Sequence, residues 1–198
     1  MANDPCGAFQ DLELIFEDDR IYYTYEYEGK VIHTGHVMMR WEDKIMKAHA
    51  DIACHNTGDV LEIGFGMGIS ADHIQANNPH SHTIIELHPQ VIEKAKEWAK
   101  DKQNVTIIEG DWEDELPKLD KYDGVFFDNY GTSFIQFGKV VSNHVKPGAK
   151  VTFWNNSASP DIIYHLFDKK IELTPIEVSP DPNGYFTHNV YYLPEVQY

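Results

Sequence analysis

From Gly58 onward the chain alternates short apolar runs with segments of helical period, and that alternation constrains the fold more than any other feature. Val60–Ile63 reads as a strand, followed by a glycine-rich turn and a helix to about Asn77. Thr83–Glu86 reads as a second strand, and Pro89 opens a helix to about Lys100, where helices tolerate proline. Val105–Ile108 and Gly124–Asp128 continue as third and fourth strands. A helix through about Val145 is predicted to stop at Lys146-Pro147-Gly148, with Ala149–Trp154 as the fifth strand. Strands that alternate with helices argue for a parallel sheet covered on both faces. The closing stretch, IELTPIEVS then SPDPNG then YFTHNVYYLPEV, reads as an antiparallel hairpin at the sheet edge. The prediction is a doubly wound α/β domain, a seven-stranded mostly parallel sheet with an antiparallel C-terminal hairpin.

Upstream the pattern differs. ELIFEDDRIYYTYEYEGKVIHT alternates aromatic and polar residues around Asp18-Asp19 and Glu28-Gly29, which reads as short strands joined by turns. Residues 1–36 are therefore expected to form an N-terminal flap and residues 37–198 the main domain. The Tyr22–Tyr27 run is either a plain strand face or a lid over a site. From Val37 to Ala53 the period becomes helical, with Trp41, Ile45, Ala48 and Ile52 on one stripe. Met38, Glu42 and Met46, spaced four apart, are expected on one face of that helix.

The segment VLEIGFGMGIS sets Gly64, Gly66 and Gly68 between a strand and a helix start, at the strand ends where doubly wound folds bind ligands. Dinucleotide binding wants G-x-G-x-x-G, but the third glycine arrives one residue early and Ile69 fills the expected place. The arrangement E-x-G-x-G-x-G is the form used with S-adenosylmethionine (SAM). Glu86 ends the second strand, where a carboxylate can accept both hydroxyls of a ribose. Asp111-Trp112 follow the third strand, with Asp111 expected toward the adenine amine and Trp112 as its stacking face.

VMMRWEDKIM, VLEIGFGMGIS, HTIIELHP, GDWED and YDGVFFDNYG resemble the blocks of guanidinoacetate N-methyltransferase, in the same order. They are also similar to the methyltransferase domain of fungal type IV protein arginine methyltransferases. The resemblance covers about residues 37–157, with a weaker match at 188–194. It implies a Rossmann-like SAM methyltransferase, with S-adenosylhomocysteine as product. It implies that Met38, Met46, the turn Gly64-Phe65-Gly66-Met67-Gly68-Ile69, Glu86-Leu87-His88 and Asp111-Trp112 contact SAM, and that Glu42 and Asp128 grip a guanidino group. Asp128 is expected beside the cofactor as well. Backbone amides around Asn155–Ala158, with Asn156 and Ser157 at their centre, would hold a substrate carboxylate. Two departures stand out: the small-substrate family's SAM-covering tryptophan has no visible counterpart, and Thr132 replaces a glutamate of the arginine enzymes.

The chemistry makes sense of two carboxylates. A guanidinium holds its proton strongly, so paired N–H···O bonds must fix its plane and draw charge onto the non-reacting nitrogens. Both carboxylates would orient the group, and Asp128 is the better candidate for proton acceptor, although a glutamate such as Glu42 at helical spacing is also at home as a solvated carboxylate. Trp41 reads as core. His33, His36, His80 and His82 lack cysteine or carboxylate partners at metal spacing, so no metal is expected.

Sixteen Lys and Arg against thirty-two Asp and Glu leave a net charge of −16. Such a field disfavours nucleic acid and anionic lipid and favours a cationic substrate. No apolar run approaches the ~18 residues of a membrane span, the first residues show no secretory pattern, and Cys6 and Cys54 lie outside any redox spacing, so a cytoplasmic protein is expected. The predicted activity is methyl transfer from SAM to a small guanidino compound such as guanidinoacetate. The rivals are a protein-arginine methyltransferase and a SAM-binding interaction module without turnover. A homodimer paired through the aromatic flap is left open.

Overall fold

The computed structural model describes residues 9–130, 134–156 and 169–198. Its centre is a seven-stranded sheet built from β4 (Asp59–Ile63), β5 (Ser81–Glu86), β6 (Val105–Glu109), β7 (Tyr122–Phe127), β8 (Val145–Phe153), β9 (Ile171–Glu177) and β10 (Val190–Gln197). The spatial order is β6-β5-β4-β7-β8-β10-β9. β4 pairs in parallel with both β5 and β7, and β8 with β7, whereas β10 runs antiparallel between β8 and β9. The expected α/β architecture and its antiparallel close are therefore present, with β9 rather than the last strand at the edge.

The strands are apolar on both faces because helices cover both. Leu61, Ile63, Val125 and Phe127 point into one layer with Trp112, Phe137, Val151 and Phe153. Val60 and Phe126 point into the other with Met46, Ala50 and Ile74. α1 (Asp43–Ala53), α2 (Ile69–Ala76) and α3 (Pro89–Ala99) carry four- and three-residue stripes that fill this packing. Burying each large side chain contributes roughly 1.5–3 kcal/mol, so the two layers supply most of the driving force.

A separate three-stranded sheet, the flap, is built from β1 (Ile15–Phe16), β2 (Arg20–Tyr27) and β3 (Lys30–Met39). Three boundaries differ from the sequence reading. β3 runs through residues 36–37 to Met39, so Met38 lies on a strand paired with Ile21 and does not share a helix face with Glu42 and Met46. A single 3-10 turn, Arg40–Glu42, then leads into α1. Further on, α5 (Phe134–Val140) and a 3-10 turn replace the long helix, and β8 begins at Val145. The Pro147-Gly148 signal marks a bulge: the register jumps from Tyr122↔Val145 to Gly124↔Lys150, and Gly148 has φ +88°.

No helix among the described residues is long and apolar enough to cross a membrane. Cys54 is a buried free thiol, and Cys6 lies outside the described residues.

Candidate active site

Parallel pairing brings the C-terminal ends of β4, β5, β7 and β8 to one edge, and backbone bonds carry the pairing into the loops. Gly64 N–H donates to Ile85 O at 2.9 Å, Asp128 N–H to Ile63 O at 2.8 Å and Trp154 N–H to Phe127 O at 2.9 Å. There a cavity of about 570 Å³ opens, lined by Gly64, Gly66, Glu86, Leu87 and Asp128 from the sheet. The flap forms another wall through Tyr23 and residues 33–38, and the loop between β9 and β10 a third through Asn183, Gly184 and Tyr185.

The glycine turn is shaped by close approach. Gly64 has φ +89°, and a Cβ there would stand 2.0 Å from the Asp128 carbonyl oxygen. Gly66 has φ +53°, and a Cβ there would meet Met38 Sδ at 2.7 Å. Met38 Sδ also accepts the Met67 N–H at 3.2 Å, which ties the flap strand to the turn. Glu86 is held by three amides: Phe65 N–H to Oε2, and Leu87 and His88 N–H to Oε1, each at 2.8 Å. Burial nevertheless raises its pKa.

Glu42 reaches the cavity from the turn before α1. Its Oε1 accepts Met39 N–H at 2.7 Å and the Tyr185 hydroxyl in a shorter bond. Burial, with the charge of Asp128 second, pushes its pKa up to about 8. Asp128, at the end of β7, is pushed to about 7 by burial and then by Glu62 and Glu86. Glu62 lies beneath, buried in β4 and bonded to His82 Nε2 at 2.8 Å and to the Ser70 hydroxyl. Two carboxylates from separate elements thus face one cavity with pKa values near neutrality.

The β8 end of the site is fixed by a buried polar chain. Thr152 Oγ donates to Pro194 O at 2.6 Å, so it accepts from His49 Nδ1–H at 2.6 Å. His49 Nε2 then accepts the Tyr191 hydroxyl at 2.9 Å, and that hydroxyl accepts Asn155 N–H at 2.9 Å. Burial alone lowers the His49 pKa to about 3, so the ring is neutral. Trp154 and Asn156 follow as cavity wall, with Trp154 Nε1–H on Asn156 Oδ1 at 2.6 Å.

Of the residues predicted for the site, Met38, Glu42, Gly64, Gly66, Glu86, Leu87, Asp128 and Asn156 line the cavity. Met46 does not line the cavity: it is fully buried against Ala50, Ile74 and Phe126 because α1 starts later and turns that side chain into the core. Trp112 is buried as well, its ring nearly perpendicular to Phe127 at 5.3 Å and Phe137 at 5.8 Å, and it does not line the cavity. Asp111 caps α4 (Trp112–Glu115) by accepting Glu113 N–H at 2.9 Å. Phe65 and Ile69 are buried in core clusters, Gly68 starts α2 and Met67 is half-buried. His88 locks the N-terminal segment, donating Nε2–H to Leu12 O at 3.0 Å. Ser157, Ala158 and Thr132 lie outside the described residues.

Aromatic residues from separate segments complete the walls. Phe9 stacks on Tyr130 at 4.4 Å and 16°, Tyr23 and Tyr130 join through their hydroxyls, and Tyr185 comes from the SPDPNG turn. His33 and His36 line the flap wall, whereas His80 bonds Asp59 and His82 bonds Glu62 away from it.

A family described as guanidinoacetate N-methyltransferase matches residues 11–168. Protein arginine N-methyltransferase 2 of Saccharomyces cerevisiae is 32% identical over 94% of this chain and 52% of its own. The Candida glabrata protein of that name is 38% identical over 69% of this chain and 37% of its own. The chain thus spans about half the length, or less, of these curated relatives. Among solved structures, a precorrin-6y C5,15-methyltransferase from Geobacter metallireducens superposes with a TM-score of 0.59 at 17% identity, over 81% of this chain and 89% of that one.

Proposed function

The chain belongs to the guanidinoacetate N-methyltransferase family of SAM-dependent methyltransferases, and on that premise we propose that it transfers a methyl group to a guanidino nitrogen. The observation that carries the reading is the pairing of Glu42 and Asp128 on one cavity beside the glycine turn.

The residues present suit the donor. The left-handed turn at Gly64 and Gly66 keeps the backbone open toward the cavity, and Glu86 lines it at the end of β5, with Leu87 alongside, as the ribose carboxylate. Phe9, stacked on Tyr130, offers an aromatic cover where the sequence has no tryptophan. When bound, SAM supplies the electrophilic methyl group. Glu42 and Asp128 do the rest. Held on different elements, they fix the guanidinium plane and localise its charge away from the reacting nitrogen, and alignment of this kind accounts for much of the rate. Asp128, titrating near 7, accepts the proton that the nitrogen releases.

For the acceptor we favour a small guanidine such as guanidinoacetate, in keeping with the matched family. An arginyl side chain is the second reading. It is supported by the relatives' names. Mass-spectrometric methyl transfer with guanidinoacetate, free arginine and an arginine peptide side by side tests both. One methyl added to a small guanidine supports the first reading, and methylation of the peptide alone the second. SAM binding with no guanidine methylated would end the guanidino assignment.

A further inference from the structure

Glu42 is already partly spoken for. Its Oε1 accepts two bonds, from Met39 N–H and from the Tyr185 hydroxyl, which fills the acceptor capacity of that oxygen. Oε2 carries no hydrogen bond among the described residues. A guanidinium seated in the fork geometry uses both carboxylate oxygens at once. It can do so on Glu42 only if one present donor leaves Oε1. The Met39 amide belongs to the turn that positions Glu42 and stays. The phenol can go.

We propose that Tyr185 is a specificity-determining residue whose hydroxyl sits in the guanidinium's place on Glu42 and must be displaced by the acceptor. The inference rests on the guanidino reading above. Its physical basis is an exchange of donors: a planar cation offering two N–H groups replaces one neutral O–H with a charge-assisted pair. A single-point donor such as an alkylammonium can take Oε2 while Tyr185 stays, and gains no fixed plane. The tyrosine therefore discriminates for fork-shaped cations.

The surroundings allow the exchange with little motion. Tyr185 is 40% exposed, and its ring meets Trp154 edge-on at 6.1 Å. The next residue, Phe186, is buried against Trp41 and Tyr191, with centroids at 5.7 and 5.9 Å. On the other side, Gly184 N–H bonds Asp181 O at 2.9 Å, and Asp181 Oδ2 accepts from Arg20 Nη2 at 3.1 Å. With the backbone anchored on both sides, rotation of the Tyr185 side chain alone releases the hydroxyl.

Two measurements test this. Steady-state kinetics of Tyr185→Phe with guanidinoacetate and an arginine peptide should show KM for the methylated acceptor falling about tenfold or more, the scale of one lost competing hydrogen bond to a charged group, with kcat changed less. A raised KM with lowered kcat would make Tyr185 a fixed support of Glu42 and overturn the proposal. Independently, 3-fluorotyrosine placed at residue 185 should shift in its 19F spectrum as guanidinium chloride is titrated, with binding followed by calorimetry. Binding without a shift overturns the displacement alone. Absence of guanidinium binding to the wild type overturns it together with the guanidino reading.

Discussion

The hydroxyls of Tyr23 and Tyr130 meet at 2.6 Å, joining the flap strand β2 to the loop that follows Asp128 across 107 residues of sequence. The bond closes one wall of the cavity over the loop after β7, and Phe9 stacks on the same Tyr130 ring. Tyr23→Phe should cost about 1 kcal/mol of stability, or roughly 2–4 °C in melting temperature. It should also weaken SAM binding several-fold by loosening the wall formed by residues 33–38. Thermal denaturation and calorimetric titration with SAM read the two effects. Unchanged affinity would mean that the flap closes without this bond.

Asp128→Asn should lower kcat for the guanidino acceptor by 10²-fold or more, on the order expected for losing a general base. SAM affinity should stay within a few-fold. The same variant should melt higher at pH 8, because an ionised carboxylate repelled by Glu62 and Glu86 is replaced by a neutral group. Near-normal turnover would exclude Asp128 as the proton acceptor.

The pH dependence follows from the two raised carboxylates. Glu42, with its pKa near 8, faces Asp128 and Tyr185, and Asp128 titrates near 7. Both must be ionised to hold and deprotonate a guanidinium, so kcat/KM should climb as pH rises through about 7 to 8 and then level. Stability should move the opposite way. Between the unfolded pKa values near 4 and the folded ones, the native state holds more protons, so stability falls as pH rises through that window and is flat above it. A pH–rate profile and urea midpoints at pH 5 and 8.5 check the two signs.

Gly64→Ala should be among the most damaging single-methyl changes in the chain. The new Cβ would lie 2.0 Å from the Asp128 carbonyl oxygen, at a φ of +89° that already strains an L residue. The backbone strain alone is of order 1–3 kcal/mol. The displaced strand end should abolish SAM binding. A urea midpoint close to wild type with SAM binding intact would show that the turn can shift to absorb the methyl.

His49→Leu should break the chain that runs from Thr152 through Tyr191 to Asn155. Leaving the buried Tyr191 hydroxyl and Thr152 oxygen with fewer partners costs on the order of 1–3 kcal/mol per group. Because Asn155 precedes the Asn156 wall, acceptor KM should rise while SAM affinity holds. A loss of stability with KM unchanged would confine His49 to the core.

Much of the architecture was readable because its signals are local. Apolar strands at Val60, Thr83, Val105 and Gly124, the proline at Pro89 and the three glycines after Ile63 each act within a few residues, and together they order the elements and point to the strand edge that holds the cavity. Glu86 and Asp128 end their strands at that edge, and Glu42 joins them there from the turn before α1. The helix start was misjudged because Val37–Met39 suits a strand as well as a helix, and pairing with Arg20 and Ile21 in β2 decides for the strand.

What one sequence could establish, then, is the α/β order, the glycine turn and the carboxylates that end their strands, since periodicity and backbone freedom belong to each segment separately. Which side chains meet across the chain was left to the tertiary structure. Met46 and Trp112 turn into the core, Met38 reaches the glycine turn, and Tyr185 lands on Glu42 from 143 residues away. Those outcomes depend on where β3 ends, how α1 seats on the sheet and how the loop before β10 returns over the cavity. They are set by packing among distant segments, for which a linear pattern carries no local signal.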